Sequence, residues 1–292
     1  MNVESPKDIS LPRVLELRQP TAPALPLVFD SPHSGTDYPA DFEHLAPISA
    51  IRRAEDTFVD ELYAAAPAHG AVLLRALFPR SYVDPNRAAG DLDLGMIEGE
   101  WTGAIEPSQK CALGLGLLWS RYPPGLPLYG RKLSVAEVRK RIDAYHKPYH
   151  DTLRAILDQV HSRFGVVWHI NCHSMPALSN EMAAEGPGVM RPDFTLGDRD
   201  GTTCAPAFTE AVRAALSARS YRVTVNDPYK GAELVRAWSN PAAGRHSLQI
   251  EVNRRLYMNE ATFEKSEGFE RLRDDLTGLI EGLAEFAKSS LS

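Results

Sequence analysis

Two histidines, an acid and a pair of arginines are the side chains in this sequence with the makings of a metal-assisted reaction. His173 closes a short apolar run, residues 165–176 (GVVWHINCHSMP), whose β-branched residues and length suit a strand better than a helix. Side chains alternate along a strand, so His169, Asn171 and His173 share one face and Trp168, Ile170 and Cys172 the other. His33 stands in the same situation, in a Pro-His-Ser-Gly turn just past a strand over residues 25–31. Both imidazoles thus lie at the C-terminal ends of strands, where open α/β sheets bind ligands. Catalytic zinc takes three protein ligands and keeps one position open. The third ligand would be Asp56 or Glu55, on a helix read over residues 51–69. Asp56 is nearer the apolar stripe of Ile51, Phe58, Leu62 and Ala65. A hydrogen-bonded core histidine and acids at a helix start are the structural alternatives.

A second acid sits inside the last strand, residues 247–253. Leu248, Ile250 and Val252 face one way, and Gln249, Glu251 and Asn253 the other. A carboxylate there is costly unless it is paired, near a metal or neutral; Arg254 and Arg255 are the candidate partners. Arg80, Asn86 and Arg87 occupy one loop directly after a strand. Guanidinium forks bind carboxylates in a bidentate manner, so the group suits an acidic ligand, unless Arg80 and Arg87 are taken by Asp84 and Asp91. His146 and His150 have the i, i+4 spacing of helix-borne ligands. They lack the glutamate of a His-Glu-x-x-His motif and flank Pro148, so they are read as structural or as rim contacts.

The elements that must position these residues follow from pattern. Residues 1–25 read as an irregular N-terminal arm and 26–292 as one domain. Strands are expected at 25–31, 71–78, 165–176, 193–197, 222–226 and 247–253. Helices are expected at 51–69, 134–164, 203–219 and 262–289. Ser134 and Glu137 form a capping box for the second helix, and Pro148 must kink or split it. Residues 95–133, with many Gly and Pro, read as a long surface excursion of the lid or binding-loop kind. Alternating strands and helices predict an α/β fold with a mixed, mostly parallel sheet between helices.

Composition removes other classes. The chain has 292 residues, 43% of them hydrophobic, with net charge −6 and no Lys/Arg block, which argues against a general nucleic-acid binder. Cys111, Cys172 and Cys204 are far apart with no C-x-x-C pair, which excludes a disulfide framework or a thiolate cluster and fits a reducing compartment. The first 25 residues have no apolar core of a signal peptide and no run reaches spanning length, so a soluble, cytoplasmic protein without membrane partners is expected. No Gly-x-Ser-x-Gly elbow points to a serine nucleophile.

Taken in order, DSPHSG (30–35), EDTFVDEL (55–62), PRSYVDPNR (79–87), NCHS (171–174), NDPYKG (226–231) and QIEVNRRLY (249–257) resemble the N-formylglutamate amidohydrolase family. The resemblance implies a single α/β domain of the zinc-exopeptidase (phosphorylase/hydrolase-like) type, akin to zinc carboxypeptidases and aspartoacylases. It also implies hydrolysis of N-formyl-L-glutamate to formate and L-glutamate, a step of histidine degradation, and a small acidic N-acyl amino acid as partner. On that likeness His33, Asp56 and His173 hold one divalent ion, Zn²⁺, and Glu251 is the general acid/base. Arg80, Asn86 and Arg87 form the substrate group, with Arg80 at the oxyanion and Asn86 and Arg87 at the α-carboxylate. Arg236 or Arg245 is the expected cation for the γ-carboxylate. The carboxypeptidase His-x-x-Glu pattern is absent, since Ser34, Gly35 and Thr36 follow His33, so the acidic ligand must come from elsewhere. A deacylase of another N-acyl amino acid or small peptide, and a metal-dependent binding protein without turnover, are the alternatives. The oligomeric state stays open.

Overall fold

The computed structural model describes residues 8–183 and 185–291. Its centre is an eight-stranded sheet. The strands are β1 (Ile9–Leu11), β2 (Leu15–Arg18), β3 (Leu27–Ser31), β4 (Val72–Ala76), β5 (Val167–Met175), β6 (Phe194–Gly197), β7 (Val223–Val225) and β8 (Arg245–Asn253). In space they run β1-β2-β4-β3-β5-β8-β6-β7. The four central strands β4, β3, β5 and β8 are parallel. β2 joins β4 and β6 joins β8 in antiparallel fashion, giving the mixed, mostly parallel sheet that the alternation implies.

Helices cover both faces. On one, Trp168, Ile170 and Cys172 of β5 and Leu248, Ile250 and Val252 of β8 pack into a single core. The partners are Phe208, Val212 and Leu216 of one helix (Pro206–Ser217) and Leu272, Leu276 and Leu279 of another (Gly268–Ser289). On the other, Leu153, Ile156, Leu157 and Val160 of the helix Lys147–Phe164 pack with Val28, Val72 and Leu74. The C-terminal half of that second face, over β3, β5 and β8, is left to polar residues.

Several expectations are corrected. The N-terminal arm is not irregular throughout. Leu15 and Leu17 alternate with polar residues and bury against β4, so residues 9–18 form two edge strands, while residues 1–7 lie outside the described residues. The helix over 51–69 does not form as one element. It is four short turns, interrupted by extended backbone at Glu55 (ψ 143°) and a left-handed Phe58 (φ 66°), and Gly70 ends the last of them at φ 85°. The helix from Ser134 is interrupted near Pro148, as read. A π turn at Ile142–His146 comes just before it, and Pro148 falls in the first turn of the following α segment, where its missing N–H goes unneeded. The capping box of Ser134 and Glu137 is formed as read. Residues 95–133 are no loose excursion: Leu117, Leu118, Trp119, Leu128 and Leu133 are buried in the second core. A helix that the sequence pattern does not signal, Glu233–Trp238, also packs there through Leu234.

Candidate metal and substrate site

The register of the central strands gathers the polar residues. β5 and β8 pair His173 with Glu251 and Asn171 with Gln249, while β3 sets Asp30 beside Asn171. His33 is two residues beyond the end of β3. The break at Glu55 turns the chain back, and Asp56 N–H bonds the His33 carbonyl at 3.0 Å. As a result, ligand atoms of His33, Asp56 and His173 lie within 4.8 Å of one another, all buried. Glu55 is excluded from this group because it is spent elsewhere, accepting from the Tyr38 hydroxyl at 2.6 Å and Arg52 Nε at 3.2 Å. The residue singled out by helical phase is therefore the one at the site, although no helix carries it there.

The three atoms face inward because their outer sides are held. His33 Nε2 is 2.7 Å from Asp84 Oδ1, and His173 Nε2 is 2.7 Å from Asn171 Oδ1. Asn171 in turn donates to Asp30 Oδ1 at 2.8 Å, which fixes the amide so that its oxygen meets His173. Both imidazoles turn Nδ1 to Asp56 Oδ2, at 3.3 Å for His33 and 2.9 Å for His173. His33 Nδ1 is buried with no hydrogen-bond partner among the described residues. An orphaned imidazole nitrogen, a second one and a carboxylate oxygen, each braced from behind, fit a divalent cation. Burial would raise the pKa of Asp56, but the bond from His173 and the adjacent His33 imidazole outweigh it and hold the carboxyl well below its usual range.

Glu251 stands beside this group. Neither Arg254 nor Arg255 pairs with it. Arg254 reaches Asp56 Oδ1 (3.1 Å) and Ser174 Oγ (3.0 Å), and Arg255 bonds Asp193. Among the described residues only Gln249 Nε2 donates to its Oε1, at 2.8 Å. Burial, and then repulsion from Asp56, push its pKa up to about 8. Of the three outcomes open to a carboxyl in a buried strand, burial and the charge of Asp56 thus favour the neutral one.

The basic loop makes both of the ion pairs weighed for it. Arg80 forks onto Asp84 Oδ2 through Nε (3.1 Å) and Nη2 (2.8 Å), and Arg87 is 3.9 Å from Asp91. Pairing does not remove Arg80 from the site, since Asp84 also holds His33. Asn86 accepts from Leu234 N–H (2.9 Å) and points its Nδ2 to within 3.0 Å of His173 Nε2. His146 and His150 stack with centroids 4.2 Å apart. Their Nε2 atoms bond the carbonyls of Arg87 (2.9 Å) and Pro85 (2.7 Å), so the pair clamps the basic loop.

Arg245 is not brought to the site, whereas Arg236 lies on the helix whose Leu234 N–H bonds Asn86 and has its charge paired. Arg245 is the first residue of β8, at the end opposite Glu251, and pairs with Asp158 at 2.8 Å. Arg236 is half-exposed and forks onto Glu233 at 2.8 and 2.9 Å. Asp84 and Arg254 are expected only as ion-pair partners of Arg80 and Glu251, and the structure gives them the further work of bracing His33 and Asp56. For Asp84 the signal was its place in the basic loop, two residues before Asn86. Behind the site Tyr149, His169 and Asn171 all bond the buried Asp30, and His169 Nδ1 meets Ser247 Oγ at 2.6 Å. That serine is fully buried, with no access for a substrate. No helix among the described residues is long and apolar enough to cross a membrane.

The sequence model of the N-formylglutamate amidohydrolase family matches residues 25–258. An N-formylglutamate deformylase of Pseudomonas putida is 29% identical over 241 residues, 81% of this chain and 83% of that protein. A crystal structure of N-formylglutamate amidohydrolase from Ralstonia eutropha JMP134 superposes with a TM-score of 0.92 at 46% identity, over 95% of this chain and 99% of that one. A gene product of Agrobacterium tumefaciens shares the fold, with a TM-score of 0.67 at 18% identity over 96% of each chain.

Proposed function

Because the chain belongs to the N-formylglutamate amidohydrolase family, we propose that its buried polar site hydrolyses the formyl amide of N-formyl-L-glutamate, giving formate and L-glutamate. The observation that carries this reading is the inward convergence of His33 Nδ1, Asp56 Oδ2 and His173 Nδ1 beside an unpaired glutamic acid. Two imidazoles and one carboxylate are the donor set of a catalytic zinc site with an open position. Bound there, the ion would supply Lewis acidity, polarising the formyl oxygen and bringing water's ionisation near neutral pH.

The chain's own groups do the rest. Glu251 takes the proton of the attacking water and hands it to the amide nitrogen as the C–N bond breaks. A carboxyl pushed up to about 8 holds a proton long enough to deliver it, and offsetting the charge of Asp56 brings it down into the range of a base. Arg80, fixed in the fork of Asp84, presents its charge to the oxygen that becomes negative in the tetrahedral intermediate. Asn86 and Arg87 take the α-carboxylate. Arg87 spends Nε and Nη1 on the carbonyls of Leu115 (3.1 Å) and Asn86 (2.9 Å), which orients Nη2 as the remaining donor. Replacement of Glu251 by Gln keeps the shape and its bond to Gln249. The variant should retain the wild-type metal content by elemental analysis and lose about 10²- to 10⁴-fold in kcat for formate release. Full turnover in that variant would rule out the assigned acid/base.

A further inference from the structure

The excursion over residues 95–133 folds back over the basic loop. Asp84 N–H bonds the Leu117 carbonyl and Leu117 N–H the Asp91 carbonyl, each at 2.7 Å. Arg87 Nε is held by the Leu115 carbonyl at 3.1 Å, and Ser108 bonds the Asp91 carboxylate through N–H (2.6 Å) and Oγ (2.9 Å). The Arg80 guanidinium lies 5.4 Å over the Trp119 ring. These ties deliver the short helix Gln109–Ala112 to the substrate group. Lys110 is its second residue, and the Lys110 carbonyl accepts from Leu115 N–H at 2.9 Å, next to the carbonyl that grips Arg87.

The Lys110 side chain is partly buried and, among the described residues, has neither a carboxylate nor a hydrogen-bond partner. The charges that act on it most strongly are Arg87, Arg80, the acid Glu185 and Arg191. That acid is committed to Arg191, at 3.2 Å from Nε and 2.9 Å from Nη2. Arg191 itself is buried, and its carbonyl is held at 3.3 Å by Asn253, two residues past Glu251 on the same face of β8. Arg80 and Arg191 also act on Glu251, so the Lys110 ammonium and the Glu251 carboxyl share the same two guanidinium neighbours. An ammonium taken out of water among like charges is unfavourable until an anion arrives. The other two cations considered for a second carboxylate, Arg236 and Arg245, are already paired.

We propose that Lys110, backed by Arg191, is the subsite for the carboxylate at the end of the substrate's side chain, and that it makes the site select dicarboxylic N-acyl amino acids over neutral ones. The proposal rests on the amidohydrolase reading above. Each cation then has its own target, with Arg80 facing the reacting oxygen, Arg87 and Asn86 the α-carboxylate, and Lys110 the distal one. A lysine suits the last, because an ammonium on a flexible stem follows a mobile side-chain carboxylate without a fixed fork.

The test compares N-formyl-L-glutamate with N-formyl-L-glutamine, its neutral near-isostere, on the metal-loaded full chain. Lys110→Met and Lys110→Gln should raise KM for the glutamate substrate about 10- to 100-fold, the loss expected for one charge-assisted contact, with kcat changed little. KM for the glutamine substrate should move less than about threefold, so selectivity between the two falls. Lys110→Arg should restore selectivity to within a few-fold of wild type. Equal losses on both substrates, or unchanged selectivity in both neutral variants, would overturn the subsite while leaving the reaction in place. A wild-type chain that releases no formate from either substrate would instead remove the parent reading.

Discussion

The two faces of the central sheet are made by the same strands and do opposite work. Along β5, Trp168, Ile170 and Cys172 enter an apolar core, while His169, Asn171 and His173 belong to a hydrogen-bonded polar layer, and β8 repeats the division with Leu248, Ile250 and Val252 against Ser247, Gln249 and Glu251. Every one of these side chains is buried. The apolar face gains free energy simply by leaving water. The polar face is tolerable only because almost every atom finds a partner, and one exception, His33 Nδ1, stands where a ligand is wanted. Period-two alternation thus lets one set of strands supply stability on one side and a pre-organised site on the other.

The comparison breaks most visibly in the core. Ile250 is fully buried, and its neighbour Glu251 is the proposed acid/base. Ile250→Ala removes apolar contact and leaves a cavity, so it should cost about 2–5 kcal/mol in denaturant unfolding. The molecules still folded at 25 °C should keep their kcat to within a few-fold. A large fall in kcat at full occupancy of the folded state would show that the two faces are not separable.

How much of this was legible beforehand divides along similar lines. Strand faces follow from alternation alone, so the polar and apolar sets of β5 and β8 and the positions of His33 and His173 were readable. Asp56 was selected by the phase of a helix that does not form. Its place depends on the Asp56–His33 backbone bond and on extended backbone at Glu55, both products of tertiary contact. The Leu15–Leu17 alternation that makes β2 was present in the sequence but too short to stand out against prolines nearby. Arg245 failed on strand polarity: in a parallel sheet the residue before a strand lies at the edge away from the site, and that much could have been worked out. Asp84 behind His33 could not, because the two are 51 residues apart and meet only when β3 and β4 pair.

A smaller effect tests whether the polar layer acts as a brace. Asn171 ties His173 to Asp30, and through it to Tyr149 and His169. Asn171→Leu conserves volume and removes both bonds, freeing the His173 ring to rotate and to choose its tautomer. Metal affinity, measured by competition with a chelator, should fall about 10- to 100-fold. Unchanged affinity would mean that Asp56 alone is enough to orient the imidazole.

The smallest effect separates the layers by pH. Burial, and then the neighbouring His146, push the pKa of His150 down to about 3 while its Nε2 donates to the Pro85 carbonyl. In the unfolded chain the same group titrates near 6.5. Between those values the unfolded state binds the extra proton, so folding is favoured as pH rises and weakened as it falls. The full contribution is present above about 6.5 and is lost progressively in acid. By pH 5.5 that is one unit below the unfolded value, or roughly 1.4 kcal/mol of stability lost relative to pH 7.5. His150→Gln retains a donor for Pro85 and cannot ionise, so its stability should be flatter by about that amount over the same range. Ile250→Ala should shift the whole profile without changing its slope. Parallel profiles for wild type and His150→Gln would mean that the clamp over the basic loop opens in the native state, admits water and lets His150 take its proton before the chain unfolds.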